Sequence, residues 1–494
     1  MDLMDVKRKI ACDVAVVGGG NAGLVAAIEA RNAGAEVYVI EKGPKKTRGG
    51  NSRYSEADFR IASDNKKNID LLLEGGKLPK GEIEIEPLMK DDFYNKVVRL
   101  SQGLTDKRLT EIFVNKSFET VLWMKQQGVK WDLNPILAYP KEGHLFWPSE
   151  VTFLQASGSG EGLMEMLYGI AEAKGIHVLY DTAARKLRMG ANGEICGLLA
   201  KGMEGTLQFD CKSIILACGG FQANPEKRRS CLGPQWDLVK LRGTRYNTGD
   251  GIQMAIEMGA QMTGHWGGCH ASVVSEDSPM VEAASMASVR YSYPYAIVVN
   301  REGKRFIDEG EDFWGLTYAK FGKEILKQPG AVAFQIFDAK GAPFLRVEYQ
   351  DAVRVESRSL EELAEEIDID VEQFVKTVKE FNGAIAEEIP FQGFKRDGRR
   401  TRGLTPDKTN WAQKIDTPPF RAYAVVCGLT MTYGGLKTNE KAQVIDTSDR
   451  PIKGLYAIGE VAGGFFYYNY AGGTGLTRGA VMGRIAGAEA ATNR

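Results

Sequence analysis

Residues 11–42 read ACDVAVVGGGNAGLVAAIEARNAGAEVYVIEK, and the order of residue types in them decides the fold of this end of the chain. The apolar run 14–17 predicts a buried parallel strand, with glycines at 18, 20 and 23 following at once. An alanine-rich helix over 24–32 comes next, Gly34 closes it, and 37–40 is a second strand ending at Glu41. Each residue type has a physical task. Gly18 permits the tight turn, Gly20 lets the backbone approach a pyrophosphate, and Gly23 lets helix and strand pack closely. The helix start turns its N–H groups and positive dipole end toward phosphates, and Glu41 can accept from a ribose hydroxyl. The stretch therefore reads as a Rossmann-like βαβ unit of an α/β protein.

Beyond Glu41 and Lys42, residues 43–60 read GPKKTRGGNSRYSEADFR, a polar segment of small residues that NAD binding does not require. FAD does require one, because the extended cofactor has to be followed from adenine to ring. Backbone, Asn and Ser groups at 48–52 can meet the ring edge. Other strand ends repeat the strategy. Gly160, Glu161 and Gly162 open a helical run that leads to the strand region 177–187, which holds Ala183. Residues 213–221, SIILACGGF, are a buried strand ending in glycines, and 247–251, NTGDG, precede a helix over 252–258. Residues 455–460, LYAIGE, are a strand with a terminal acid, Glu460, and 465–479, FFYYNYAGGTGLTRG, set five aromatics before a glycine turn. Ligands of open α/β sheets bind at such strand ends.

The bulk numbers agree with a globular nucleotide-binding enzyme. The 494 residues exceed a single-core domain, so two domains or a large insertion are expected. Lys plus Arg number 63 against 64 Asp plus Glu, which gives no bias toward nucleic acid or anionic membrane. No apolar run reaches the roughly 20 residues of a spanning helix, and a cytoplasmic location is expected. The cysteines at 12, 196, 211, 218, 231, 269 and 427 are scattered and never spaced CxxC, so neither a disulfide framework nor a metal site is expected.

VVGGGNAGLVAA, Glu41, RGGNS, ACGGF, NTGDGIQMA, VNREGKRFIDE and LYAIGEVAGG with YNYAGGTGLTRGAVMGRIAG resemble, in that order, the fumarate reductase/succinate dehydrogenase flavoprotein superfamily over nearly the whole chain. RGGNSRYS, IDEGEDF followed by TYAKFG, and NYAGGTGLT look most like tricarballylate dehydrogenase and its FAD-dependent relatives. The YAGG element is similar to one in 3-ketosteroid Δ1-dehydrogenases. The resemblance implies a split, Rossmann-like FAD-binding domain, 1–267 and 431–494, with an inserted α+β capping domain, 268–430, that closes over the substrate. Charged helical segments at 359–369 and 371–381 agree with such an insertion, and the basic run 395–402 reads as a solvated loop.

The resemblance implies FAD contacts from Gly18, Gly20, Asn21, Ala22, Gly23, Glu41 and Lys42, and from Arg48, Gly49, Gly50, Asn51 and Ser52. Ala183, Gly219, Asp250, Glu460, Gly475 and Leu476 complete the set. Glu460 would accept from a ribityl or ribose hydroxyl, and Gly475 and Leu476 would start a helix facing the N1/C2 edge of the ring. The aromatic block 465–470 would wall the substrate side, or pack as a core hairpin. With no histidine in or near RGGNS, the FAD is expected to be non-covalent.

Three residues are catalytic or substrate-binding candidates. Tyr470 stands where ketosteroid dehydrogenases carry a ketone-binding Tyr and where dicarboxylate-reducing relatives carry a carboxylate-binding Arg. His270 occupies roughly the place of a substrate-binding His, and Arg290 resembles the Arg of a proton-delivery path, with Tyr293 and Tyr295 as alternatives. Phe313 stands where a catalytic Arg follows the acid Glu309, and the histidine expected before Gly434 is absent, which argues against true fumarate reduction. Arg478 could restore a carboxylate contact, although a surface ion pair is the favoured reading. The leading expectation is an FAD-dependent dehydrogenase that desaturates a C–C bond beside a carbonyl or carboxylate of a small organic acid or cyclic ketone. A separate electron acceptor or donor is implied, since the chain shows no haem CxxCH and no FMN module. The alternatives are an enoate or enone reductase and a flavin-binding subunit of a larger redox complex.

Overall fold

The structure, a computed structural model, describes residues 6–63, 66–73, 82–283 and 285–493. It divides into two compact units, one of Met1–Asp237, Gly243–Cys269 and Met431–Arg494, the other of Leu238–Arg242 and His270–Thr430.

The first unit is built on a six-stranded sheet in the order His177–Leu179, Val37–Ile40, Val14–Val17, Ser213–Leu216, Pro451–Ala457, Gln443–Ile445. The first five run parallel and the last antiparallel. Val14–Val17 and Ser213–Leu216 are buried at every residue, so both lack polar alternation; the one polar member, Ser213, donates to the Ala490 carbonyl at 3.1 Å. The strand order reverses between Val14–Val17 and Ser213–Leu216, which makes this the switch point of the sheet. A second, four-stranded sheet has the order Val6–Ala11, Gly205–Asp210, Ile195–Gly202, Ala183–Met189. The chain changes sheets at Cys12 and Asp13, so the apolar stretch 10–17 is not one element.

The strands 14–17 and 37–40 fall where the sequence predicts them, whereas the first helix is Asn21–Asn32. It begins three residues earlier than expected because the residues between the glycines already form its first turn. The helix expected over 252–258 is Asp250–Glu257. The segment 455–460 is not one strand: Pro451–Ala457 ends, Gly459 takes φ +61°, and Glu460 lies in a 3₁₀ turn.

The first helix packs along the last one, Thr474–Thr492. The approach is close enough that a Cβ added at Gly483 would lie 2.7 Å from the Ala22 carbonyl oxygen, and one at Gly487 would overlap that of Ala26. Asn21 closes the pair by donating from Nδ2 to the Leu476 carbonyl at 2.9 Å.

The second unit has a sheet in which Val332–Phe337 pairs antiparallel with Ile297–Val299 on one side and with residues 421–426 on the other. The helices Leu360–Glu366 and Val371–Gly383 cover it, burying Leu363, Phe374, Val378 and Phe381 against Ile297, Phe334 and Phe420. Ser359 and Asp370 cap these helices through their side chains, on the N–H groups of Glu362 and Gln373.

Candidate active site

The turn after the first strand is held by its acid. The Gly18 N–H donates to the Ile40 carbonyl at 2.9 Å. Gly19 donates to Glu41 Oε2 at 2.9 Å and Gly43 to Oε1 at 2.7 Å. Burial raises the Glu41 carboxyl above its ordinary value, and the two backbone N–H donors oppose that. Tyr168, from the helix Ser159–Ala173, donates its hydroxyl to the Gly19 carbonyl at 2.9 Å. Gly20 precedes the first helix and gives it no side-chain cap. The Asn21 N–H donates to Ser52 Oγ at 3.1 Å, while the buried Asn21 Oδ1 has no hydrogen-bond partner. A helix start without a side-chain cap and an acid at the tip of the second strand suit a dinucleotide, with phosphates at the helix and ribose at Glu41, while the orphaned Asn21 Oδ1, an acceptor, calls for a donor such as a hydroxyl.

The segment 48–52 divides its work. Asn51 Oδ1 accepts from the Thr244 N–H at 3.0 Å, and Ser52 meets Asn21 as above. Arg48 points elsewhere. Its guanidinium, over the Tyr168 ring at 4.2 Å, donates to Glu165 at 2.8 Å, Glu172 at 3.2 Å and the Tyr180 hydroxyl at 2.7 Å. It thus ties this loop to the helix Ser159–Ala173. Lys42 bridges to Asp250 at 2.9 Å and Thr248 at 2.6 Å. Gly219 adopts φ +76°, and any Cβ there would overlap the Asn247 side chain. Ala183 is buried at the first position of its strand.

At the other end of the first unit, Glu460 accepts from the Thr432 N–H at 2.7 Å and from Gln222 Nε2 at 3.0 Å; its carboxyl is raised by burial. Gly473, at φ +81°, precedes the last helix without a side-chain cap. The Gly475 N–H there donates to the Tyr470 hydroxyl at 3.2 Å. Arg60, which no sequence motif singles out, clamps this turn. It is 2% exposed, and Nε donates to the Gly472 carbonyl at 2.8 Å. Its other nitrogens hold the Ser149 and Glu150 carbonyls at 2.9 and 2.8 Å.

The aromatic block is not a single wall. Phe465, Phe466 and Tyr470 are buried, whereas Tyr468, at φ +58°, is 44% exposed. Nor is Arg478 a surface residue. It is 4% exposed, lies over the rings of Phe465 at 4.4 Å and Phe466 at 5.0 Å, and donates to the Ala462 carbonyl at 3.2 Å. Burial pushes its guanidinium down to about 10, against the charge of Glu460. The helix face carrying it turns inward, which a residue count from the glycine turn does not reveal.

In the second unit, His270 is 3% exposed and meets the Tyr318 ring edge-on at 4.8 Å. Burial, with the charge of Arg242, holds its imidazole well below the ordinary histidine value, so it is neutral at neutral pH. Arg290, also buried, donates to the carbonyls of Val289 at 2.7 Å and Ala287 at 3.1 Å and lies over Tyr349 at 5.6 Å. Tyr293 pairs with Thr317 at 2.6 Å, and Tyr295 donates to the Gly393 carbonyl. Glu309 is fully buried on Arg305 at 2.6 Å, while Phe313 packs against Trp411 at 5.5 Å. Among the described residues, no group of three or more His, Cys, Asp or Glu is arranged to hold a metal ion, and no helix is long and apolar enough to cross a membrane.

Residues 13–476 match the FAD binding domain family. A probable fumarate reductase, Ifc3, of Shewanella frigidimarina is 30% identical over 484 residues, covering 97% of this chain and 74% of that protein. Vinyl phenol reductase of Lactiplantibacillus plantarum is 26% identical over 505 residues, covering 93% of this chain and 92% of that one. The crystal structure of 3-ketosteroid Δ1-dehydrogenase from Sterolibacterium denitrificans with 1,4-androstadiene-3,17-dione superposes with a TM-score of 0.73. It covers 98% of this chain and 100% of that one, and its 20% identity speaks for the fold alone.

Proposed function

We propose that this chain, which belongs to the FAD binding domain family and is an FAD-dependent oxidoreductase, reduces a carbon–carbon double bond beside a carbonyl group of a small organic molecule. The observation that carries the substrate side is Tyr470 bonded to the Gly475 N–H at the start of the last helix. Burial raises the phenol above its ordinary value, so it is a neutral donor at neutral pH. Such a group suits a carbonyl oxygen better than the bidentate demands of a carboxylate. The direction rests on the reductases that match along most of this chain. Desaturation, the leading expectation from the sequence, is the same interconversion run backwards, and the comparisons with reductases move it to second place.

Bound FAD supplies hydride exchange at ring nitrogen N5. The residues of the chain orient the partners. Glu41 and the first helix would hold ribose and phosphates, and Glu460 would accept from a further hydroxyl of the cofactor. Tyr470 donates to the substrate oxygen, so that charge developing there meets a positioned O–H. His270 and Arg290, in the second unit, are proposed for substrate contact and proton handling on resemblance. The division into a cofactor domain, 1–267 with 431–494, and a cap, 268–430, belongs to the same proposal, as does the separate electron donor.

FAD is proposed to be held without a covalent bond. Acid precipitation of the purified protein is expected to leave a white pellet and a yellow supernatant; colour in the pellet would refute this. The function is tested anaerobically. Holoenzyme reduced with dithionite and freed of excess reductant is mixed with cyclohexenone, methyl cinnamate, cinnamate or fumarate. The flavin band is expected to return fastest with the ketone and ester. Its failure to return with any of the four, together with bleaching of oxidised enzyme by cyclohexanone, would reinstate desaturation.

A further inference from the structure

The strand Phe420–Leu436 carries a buried phenol that the motifs of this chain do not explain. Neighbouring strand residues face opposite ways. Thr432 turns to Glu460, to which its N–H and hydroxyl both donate, at 2.7 and 3.2 Å, and Tyr433 turns to the other side. Tyr433 is 3% exposed, and its hydroxyl has no hydrogen-bond partner. Its ring centre is 6.0 Å from that of Phe466, which in turn meets Tyr470 edge-on at 5.1 Å.

The backbone here cannot drift to relieve the hydroxyl. A Cβ added at Gly264 would lie 2.7 Å from the Tyr433 carbonyl oxygen, and one at Gly434 would lie 2.7 Å from the Trp266 ring. Trp266 is itself stacked on Phe221 at 5.6 Å. Phenylalanine would fill the same space with no unmet donor. A tyrosine in this place therefore points to an acceptor brought by a ligand.

We propose that Tyr433 is a second hydrogen-bond donor to the substrate beside Tyr470, so that the site selects a ligand whose oxygen there is neutral, a ketone or ester carbonyl, over a free carboxylate. This rests on the reading of the first unit as the flavin- and carbonyl-binding part of a double-bond reductase. The groups that hold the phenol well above its ordinary value are burial, then Cys269 and Tyr470; no cation is among them. A carboxylate facing Tyr433 would thus lose its water without gaining a counter-charge from the groups that bear on it. Two cations bear on Tyr470: Arg60, which holds the Gly472, Ser149 and Glu150 carbonyls, and Arg478, which donates to the Ala462 carbonyl and lies against two aromatic faces while its buried Nε has no partner.

The test compares parent holoenzyme with Tyr433→Phe and Tyr433→His. Dissociation constants for cyclohexenone, methyl cinnamate, cinnamate and fumarate are read from perturbation of the flavin spectrum, alongside FAD content and thermal midpoint. Tyr433→Phe is expected to bind the ketone and ester about tenfold more weakly and the two acids unchanged. Its FAD content should equal the parent's, and its midpoint should be equal or higher. Tyr433→His, which restores a donor, is expected to recover part of the lost ester affinity. Unchanged affinity for ketone and ester in Tyr433→Phe, or equal losses on all four ligands, overturns the proposal while the parent's activity still supports the functional reading. A parent that neither binds nor reduces any of the four overturns that reading and this proposal together.

Discussion

Gly23→Ala is expected to purify colourless and to bind added FAD at least about a hundredfold more weakly than the parent, a loss of about 2.7 kcal/mol. The added methyl group would overlap the Gly18 carbonyl oxygen, with the Ala217 side chain 3.2 Å away on the other side. Gly18 has nowhere to retreat. It sits at φ +103°, its N–H is bonded to the Ile40 carbonyl at 2.9 Å, and its own α-carbon faces the Ala217 carbonyl so closely that a Cβ there would lie 2.6 Å away. Relief therefore comes from moving the helix start, and with it the N–H groups proposed to meet the phosphates. Gly20→Ala is the informative control, because the nearest protein atom to its Cβ is 3.5 Å away. That chain is expected to fold as the parent does, with any loss of FAD due to the cofactor's own need for room. Flavin absorbance per chain and an FAD titration read both variants. A Gly23→Ala protein as yellow as the parent would refute the cradle.

Tyr470→Phe is expected to keep its FAD and lose about a hundredfold in kcat/KM on the best ketone or ester, the scale of one lost donor at a developing oxyanion. Its structural role is smaller. Without the hydroxyl the Gly475 N–H loses its 3.2 Å partner, worth about 1 kcal/mol in stability. That figure cannot account for a hundredfold fall in turnover at a temperature where the protein is folded. The two roles separate in the measurements: thermal midpoint reports the N–H, and kcat/KM reports the substrate oxygen. Turnover equal to the parent's would leave Tyr470 as a helix cap and remove the basis for choosing a carbonyl substrate.

Much of the cofactor half was legible in the sequence because its signals are local. The strands at 14–17 and 37–40 are short apolar runs bounded by glycine and acid, and the βαβ order of those signals marks them as strands. The boundaries that slipped did so at glycines. Residues 21–23, which the glycine spacing assigns to the turn, are helical, and Gly459 bends Glu460 out of its strand. The parts that stayed illegible are contacts between distant residues. Arg60 reaches the Gly472 carbonyl across 412 positions, and nothing around Arg60 announces it. Arg478 looks like a surface charge until the helix carrying it is seen to turn it onto Phe465 and Phe466. Tyr433 is one more aromatic in an apolar strand, and only the missing partner of its hydroxyl sets it apart.

The hydrogen bond from Asn21 to Leu476 spans 455 positions of chain. A ribosome that has finished the first helix must therefore add most of the remaining polypeptide before that helix meets its companion. Until then the pocket for the dinucleotide has only one jaw, and the nascent chain carries an exposed alanine and glycine seam. Loading with flavin is thereby deferred until the helix Thr474–Thr492 has been made, and a chain cut short before that helix is expected to carry no colour.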